Sequence, residues 1–356
     1  MWTLSRAQKL NQQAFVAFSR KTIRFSFMPS PRCDFIRYFP DDYSGDFSSV
    51  LGDSFQYVAP SEGLTDLDLI IPTSHGSDMS TEIWDLRSKL SPKTLIGVWF
   101  WDNHLAQVSN LRTAIAADFV FPSHNYDAEY LVNPASVMGI HVPACCGQWT
   151  AEEASRYFDE CENLPRDGRV LVNYVDYEFS PRSELLRRLK AEMPEANVLL
   201  MEPGDRTRYF EKSRSERFRE WASHKSTLIL PVANDVSTRI FDALLAGQIL
   251  LVPEGIADFD GVIPREMQAE LGIIRLADLE IETIRSAAAD AEKAFDLAGA
   301  GGTRMRHAYV LGNHMLVHRV HSMLRCLKLI GLKRFAVVFG GGAEVPLGLH
   351  LNQVGK

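Results

Sequence analysis

The chain has 356 residues, of which 46% are hydrophobic and 23% charged, so it is long enough for two domains and too apolar for a disordered protein. Its net charge of −7, without a basic stripe interleaved with aromatic residues, argues against nucleic acid as a partner. No apolar run reaches about 18 residues, and the N-terminus lacks a signal peptide's apolar core, so we expect no transmembrane segment. The five cysteines follow no C-x-x-C pattern, which indicates a reduced, cytoplasmic setting.

Strands and helices alternate through the first half of the chain. Residues 1–20 predict an amphipathic helix that packs on the body, and a peripheral contact with a membrane surface is the less favoured alternative. The predicted strands are 23–27, 56–58, 67–72, 94–101, 118–121 and 140–143, and the predicted helices are 80–90 and 105–117. This alternation indicates a parallel α/β domain over residues 1–150.

Three of these strands end in a loop that contains a histidine, namely His75, His104 and His124. In parallel α/β sheets, ligands bind beyond the carboxyl ends of the strands. Because the pKa of histidine lies near neutrality, each of the three is a candidate general base. For any one of them, a histidine that only satisfies a loop carbonyl is the more frequent case.

A second alternation of strands and helices follows a polar, acidic stretch that ends near residue 168. The predicted strands are 169–174, 197–201, 227–232 and 249–252, and the predicted helices are one beginning at Pro181 and those over 209–223, 237–246, 263–271, 281–297 and 304–330. We expect a second domain over 166–330 and a tail, 331–356, that packs back on the body. Arginines in and near the 209–223 helix, Arg217 among them, are expected on a solvated helix face.

The most informative stretch is the βαβ pattern over residues 226–253. Its helix has an apolar face, Asp235 or Ser237 can cap its start, and Gly247 can end it. The residues at the binding edge are Asn234, Asp235, Ser237, Thr238, Arg239 and Asp242.

The chemistry of this edge suits a nucleotide. Free N–H groups at a helix start and the guanidinium of Arg239 suit a phosphate, and Asp242 can accept two hydrogen bonds from a ribose diol. Arg182, near the start of the helix at Pro181, either contacts a diphosphate or pairs with Asp176 or Glu178. Because Arg239 and Asp242 are three positions apart, a surface helix with an ion pair is the alternative.

Residues 239–247, with the sequence R-I-F-D-A-L-L-A-G, resemble the R-x-F-E-A-L-A-x-G core of two-Rossmann-domain (GT-B) glycosyltransferases, in particular the group similar to the spore-maturation protein CgeB. Asp242 stands in place of the glutamate of that core, and Asn234 stands where many retaining relatives carry another glutamate. In the N-terminal half, S-H-G at 74–76 and W-F-W-D-N-H at 99–104 also resemble recurrent segments of this group.

The resemblance implies an α/β fold of two Rossmann-like domains whose parallel sheets face a cleft, with a C-terminal helix that crosses back. It implies transfer of a sugar from a UDP-, GDP- or CMP-linked donor to a glycan, protein or small-molecule acceptor, with no essential metal or other cofactor. Arg239, Arg182 and the N–H groups of Ser237 and Thr238 would then stabilise the leaving diphosphate, and Asp242 would bind the ribose. His75 or Asp102 would be the catalytic base on the acceptor side.

Three histidines near the C-terminus, His314, His318 and His321, have i, i+4 and i+7 spacing on the predicted 304–330 helix. Two histidines four apart can bind zinc, but the H-E-x-x-H pattern and a third ligand are missing, so we expect no metal site. His314 and Arg319 instead resemble the ends of a late H-T-Y-x-x-R motif of the same family.

Two other functions remain open from the sequence. A nucleotide-sugar epimerase of the same architecture would act on the donor without an acceptor. A scaffold that binds a nucleotide or glycan without turnover is favoured by the replacement of the family's glutamate with Asn234.

Overall fold

The computed structural model describes residues 2–28, 55–60, 63–74, 78–101, 106–124, 135–177, 180–201, 211–340 and 348–354. The chain divides into two compact units. The first unit contains Met1–Ala144 and Val317–Lys356, and the second unit contains Cys145–Leu316. Whereas the sequence pattern assigned 166–330 to one domain, residues from Val317 onward lie with the N-terminal part of the chain.

The first unit consists of a sheet with helices from both ends of its sequence. Its helices are α1 (Trp2–Phe18), α2 (Ser80–Lys89) and α3 (Gln107–Ala116), and its strands are β1 (Ile23–Phe27), β2 (Phe55–Tyr57), β3 (Leu69–Ile71), β4 (Thr73–Ser74), β5 (Leu95–Phe100), β6 (Phe119–Pro122) and β7 (Val137–Met138). Described pairs among these strands are parallel. Every residue of β5 is buried, which explains its uninterrupted apolar sequence, since a central parallel strand is covered on both faces.

The edge strand of this part of the sheet differs from the prediction. Residues 140–143 are described and form no strand, and the pairing strand is Val137–Met138 instead. Val142 still donates one backbone hydrogen bond to Pro122, at 2.9 Å, but Pro143 has no N–H with which to continue a ladder.

The last segment of the chain extends the same sheet. Helix α11 (Leu316–Gly331) is followed by β13 (Phe335–Gly340) and β14 (Gly348–Gln353), which pair antiparallel, and β14 then pairs parallel with β7. Helix α11 approaches α1 closely, because a Cβ at Gly331 would lie 2.1 Å from the carbonyl oxygen of Phe18. The resulting strand order is β13-β14-β7-β6-β5-β3-β1-β2.

The second unit is built around a parallel sheet of order β12-β11-β10-β8-β9. Its strands are β8 (Leu171–Val175), β9 (Asn197–Met201), β10 (Ser226–Leu228), β11 (Ile249–Pro253) and β12 (Ile274–Leu276), and its helices are α4 (Ala151–Cys161), α5 (Pro181–Glu192), α6 (Arg214–Ala222), α7 (Thr238–Leu245), α8 (Phe259–Val262), α9 (Arg265–Glu270) and α10 (Ile281–Asn313). The predicted α/β class with two parallel-sheet units is therefore confirmed, as is the return of a C-terminal helix.

The helices after β12 end at other places than the sequence indicated. A kink at Gly299, with φ of 55°, interrupts α10, but the helix continues to Asn313, and a new helix starts at Leu316. The predicted single helix over 304–330 is therefore wrong. His314 lies outside the helix that carries His318 and His321, so the three histidines do not share one helical face. Among the described helices, none is long and apolar enough to cross a bilayer.

Candidate functional site

The predicted binding edge forms at the carboxyl ends of β8 and β10. Ser237 is the N-cap of α7, and its Oγ accepts a hydrogen bond from the Arg239 amide at 3.4 Å, so the cap predicted by the sequence is present. Asn234 is exposed and has φ of 57°, in the left-handed region that asparagine tolerates better than most residues. Its carbonyl accepts from the Ala257 amide at 2.9 Å, which holds the loop in place.

Two arginines meet at the ring of Tyr174. The guanidinium carbon of Arg239 lies 4.2 Å from the ring centroid, and that of Arg182 lies 4.9 Å from it. The phenol is fixed in turn, because its hydroxyl donates to the Leu228 carbonyl and accepts from the Leu230 amide, both at 2.8 Å. The tyrosine therefore holds both cations at one edge of the sheet.

The hydrogen bonds of these arginines go to neutral groups. Arg239 Nη1 donates to Asn173 Oδ1 at 2.6 Å, and Arg182 donates to the carbonyls of Leu230 and Val175, each at 3.2 Å. Neither arginine forms a salt bridge with a residue in the described part of the chain. Burial lowers the pKa of Arg182, and the positive charge of Arg239 lowers it further.

The structure tests part of the alternatives that the sequence left for these arginines. Asp176 pairs with Arg187, at 3.2 Å, rather than with Arg182, and Glu178 lies outside the described residues. Arg239 and Asp242 are not joined by a salt bridge, and Asp242 is only 1% exposed, on the buried face of α7. Two half-buried guanidiniums, with no salt bridge to a carboxylate in the described part of the chain, form a local positive charge suited to an anion.

Asp242 belongs to a buried polar chain that the sequence did not reveal. Gln148 Nε2 donates to Asp242 Oδ2 at 2.7 Å, and Arg217 Nη1 donates to Gln148 Oε1 at 3.2 Å. Asp242 Oδ1 is buried without a hydrogen-bond partner among the described residues. Burial raises the pKa of Asp242 to about 6, against the opposing effects of Gln148, Cys146 and Arg239.

The expectation that Arg217 lies on a solvated helix face is wrong. Its side chain is only 5% exposed. Its helix, α6, begins at a capping box formed by Ser213 and Glu216, a pattern that is readable in the sequence. No comparable local signal marks Gln148, which lies 94 positions from Asp242 in the chain.

The acceptor-side candidates are not tested by the structure. His75, Asp102 and His104 lie outside the described residues, whereas His124 is described and 2% exposed. We therefore retain His75 and Asp102 as predictions from the sequence.

The residues of the late motif have structural contacts. The ring of His314 stacks on Phe241 at a centroid distance of 4.8 Å, and its carbonyl accepts from the Cys146 amide at 3.0 Å. Arg319 Nε donates to the Pro143 carbonyl at 2.9 Å, and its Nη2 donates to the Ala144 carbonyl at 3.0 Å. Within the described ranges, no group of three or more His, Cys, Asp or Glu side chains is arranged to hold a metal ion.

Solved structures of remote sequence are among those similar to this chain. The α,α-trehalose 6-phosphate synthase of Burkholderia multivorans is 14% identical with a TM-score of 0.45, over 74% of this chain and 72% of that chain. A sucrose-phosphate synthase of Thermosynechococcus elongatus is 12% identical with a TM-score of 0.37, over 69% and 70%. Arabidopsis thaliana UGT89C1, complexed with quercetin, is 12% identical with a TM-score of 0.36, over 92% and 96%. No family model and no curated protein matches the chain.

Proposed function

We propose that the chain is a glycosyltransferase whose second unit binds the diphosphate of a nucleotide sugar. The observation that carries this proposal is the pair Arg182 and Arg239, which flank Tyr174 and have no carboxylate partner among the described residues. The start of α7 adds backbone N–H groups at Ser237 and Thr238 on the same side of the sheet. Paired cations and free amides suit a diphosphate better than a neutral ligand.

The proposed chemistry follows from the charge that develops during transfer. The bond between the anomeric carbon and the diphosphate oxygen breaks, and the electron pair stays on the diphosphate. Fixed positive groups aimed at that charge stabilise the transition state more than the ground state, because the charge on the bridging oxygen is still forming. Arg239 and Arg182 would supply this stabilisation without a metal ion. The acceptor hydroxyl adds to the anomeric carbon and gives its proton to a base, for which His75 and Asp102 are the candidates.

The proposed contact between Asp242 and the ribose requires a movement of neighbouring side chains. Its unpartnered Oδ1 can accept from a ribose hydroxyl, but at 1% exposure a ribose reaches it only after a neighbouring side chain moves. Gln148 is the neighbour whose movement would free both oxygens, since it occupies Oδ2 at 2.7 Å. Asn234 and Asp235 in the preceding loop complete the proposed nucleotide contacts.

The finer parts of the proposal extend the family resemblance. A CgeB-like transferase would use a UDP-, GDP- or CMP-linked sugar and a glycan, protein or small-molecule acceptor in the cytoplasm. Of the three nucleotides, UDP and GDP fit the arginine pair best, because a diphosphate spans two cations and the single phosphate of a CMP sugar does not.

The test is thermal unfolding of the purified protein with a panel of nucleoside diphosphates, CMP and nucleotide sugars. A ligand at about one hundred times its Kd adds roughly 2.7 kcal/mol to the unfolding free energy, which raises the Tm measurably. We expect Arg239→Met and Arg182→Met to lose the shift. Arg188→Met is the matched control, because Arg188 lies on α5, is exposed and pairs with Glu192 at 3.2 Å.

Absence of a shift with every nucleotide, or full donor turnover by a folded Arg239→Met variant, would contradict the proposal. Conversion of the donor without any acceptor would indicate an epimerase instead.

A non-catalytic scaffold is the second candidate, favoured by the exposed Asn234. Its left-handed backbone conformation is one that asparagine adopts more readily than glutamate, so the loop is adapted to the residue it carries. Stabilisation by a nucleotide sugar without turnover across an acceptor panel would identify this function.

A further inference from the structure

A second pair of arginines lies inside the second unit, at the opposite edge of its sheet. Arg306, on α10, is only 1% exposed, and Arg166 precedes β8. Their guanidinium carbons lie 5.4 and 5.3 Å from the centroid of the same aromatic ring, that of Phe295. This pair is separate from Arg182 and Arg239 and plays no part in the proposed transfer.

Backbone carbonyls accept three hydrogen bonds from this pair. Arg306 Nε donates to Gly247 at 2.9 Å and its Nη1 to Leu271 at 3.3 Å, while Arg166 Nη1 donates to His224 at 3.4 Å. His224 and Gly247 come just before β10 and β11, so these contacts lie at the amino ends of the strands. In both arginines the Nη2 group is buried and has no hydrogen-bond partner in the described part of the chain.

No carboxylate in the described ranges compensates the charge of the pair. Neither Arg166 nor Arg306 forms a salt bridge with a described residue. Burial lowers the pKa of Arg166 to about 10, and burial together with the charge of Arg166 lowers the pKa of Arg306 to about 10. Carbonyls at the ends of α7 and α9 offset part of this charge through the helix dipoles, but they leave the two Nη2 donors unsatisfied. Buried charges are ordinarily paired, because an isolated ion in a protein interior is costly.

Both arginines converge on one glycine. Arg306 bonds the carbonyl of Gly247, and Arg166 Nη2 lies 3.3 Å from the position that a Cβ would occupy at Gly247. Gly247 has φ of 83°, so the position favours glycine on conformational grounds as well. Thr303 Cγ2 also lies 2.4 Å from this Cβ position, so the two guanidiniums, Gly247 and Thr303 meet at one tightly packed point.

We propose that Arg166 and Arg306 form an internal binding site for a small inorganic anion, held by their two free Nη2 groups beside Gly247. The anion supplies the missing negative charge and accepts the two unsatisfied donors. Since Gly247 ends α7 and Arg306 belongs to α10, the bound anion fastens these two helices at the amino edge of the sheet. The site is independent of the proposed transferase function.

The first test uses chloride as the probe, in thermal unfolding at constant ionic strength with gluconate as the replacing anion. We expect the Tm of the wild-type protein to rise with chloride and then to saturate, because only the folded state has the site. Arg166→Met is expected to lose this chloride-dependent rise. Arg265→Met is the control, because Arg265 is an exposed arginine already paired with Glu254 at 2.8 Å and Asp260 at 2.7 Å.

The second test does not depend on any variant folding. Crystals of the wild-type protein grown in bromide are expected to show an anomalous peak within hydrogen-bond reach of Arg166 and Arg306. A Tm independent of chloride, together with water alone between the guanidiniums, would overturn the proposal. A chloride effect that persists in Arg166→Met with no bromide at the site would place the anion elsewhere and overturn it equally.

Discussion

Burial of the Asp242 carboxyl group on α7 changes its pKa and its access to a ligand. The sequence placed Asp242 at the start of a helix that faces a ligand, whereas its side chain is 1% exposed and bonded to Gln148. Desolvation of the charged form raises its pKa to about 6. The folded protein therefore binds this proton more tightly than the unfolded chain does, and the contribution of Asp242 to stability is lost as the pH rises through about 6.

Asp242→Asn removes this pH dependence. Relative to the variant, the wild-type protein is expected to lose about 3 kcal/mol of unfolding free energy between about pH 4 and about pH 7, the size of the pKa shift expressed as energy. Denaturant unfolding of both proteins across this range measures the difference. Asp85→Asn, at an exposed site on α2, controls for the loss of a charge. A difference that stays constant with pH would show that Asp242 titrates normally.

Asn173 positions Arg239 through the 2.6 Å bond to its Nη1 group. On the proposed function, Asn173→Ala frees the guanidinium to other rotamers and weakens nucleotide binding by about 1.5–3 kcal/mol, the range for a hydrogen bond to a charged group. Titration calorimetry with the nucleotide found in the thermal screen measures this loss. Asn173→Asp should instead pair with Arg239 and compete with the phosphate, so tighter binding by that variant would contradict the positioning role.

At the scale of elements, both ends of helix α7 are defined by specific residues. Ser237 caps its start, and the chain turns at Gly247 into β11. A Cβ at Gly247 would lie 2.4 Å from Thr303 Cγ2, so α10 packs against the very turn that ends α7. The βαβ unit and helix α10 therefore pack closely at Gly247, where a side chain would clash with Thr303.

Gly247→Ala should be strongly destabilising. The positive φ costs roughly 1 kcal/mol or more, and displacement of Thr303 adds to it, so we expect a loss of at least about 2 kcal/mol in unfolding free energy. Gly255→Ala is the matched control, since nothing lies within 4 Å of a Cβ there and its φ is not positive. Equal stability of the two variants in urea denaturation would refute this account of the turn.

At the scale of the whole molecule, the first unit is assembled from two segments far apart in the chain. Asn11 on α1 donates to the Val337 carbonyl at 2.5 Å and accepts from the Val337 amide at 2.6 Å. Strand β14 then places the C-terminal hairpin against β7. The C-terminal hairpin thus extends the sheet, and the N-terminal helix bonds to its outer strand, β13.

Asn11→Ala should weaken the contact between α1 and β13 without destabilising the second unit. Loss of both hydrogen bonds leaves the backbone of Val337 unsatisfied on one side, which costs about 1–3 kcal/mol. Hydrogen exchange is expected to accelerate in β13 and to stay unchanged in β10 and β11. Gln13→Ala is the control, because Gln13 lies two residues along the same helix and makes a single bond to Pro92 at 3.2 Å. Faster exchange throughout both units would indicate global destabilisation instead.

The sequence by itself determined many of the local elements, because hydrophobic periodicity and capping residues act within a few positions, but it missed the strand Val137–Met138 and the helix end at Asn313. The βαβ unit around α7, the cap at Ser237 and the helix that begins at Pro181 were all predicted from neighbouring residues. The alternation of these elements also determined the α/β class, since parallel strands require crossover helices.

Only the tertiary structure decided the environment of the site residues. The partners of Asp242 and Arg239 come from distant positions, Gln148 and Asn173, and no local pattern specifies a contact across 94 or 66 residues. The same holds for the β14 strand beside β7 and for the separation of His314 from His318. Burial and pairing depend on which faces meet in the folded chain. These faces raise the pKa of Asp242 and leave Arg182 and Arg239 without a salt bridge to a described carboxylate.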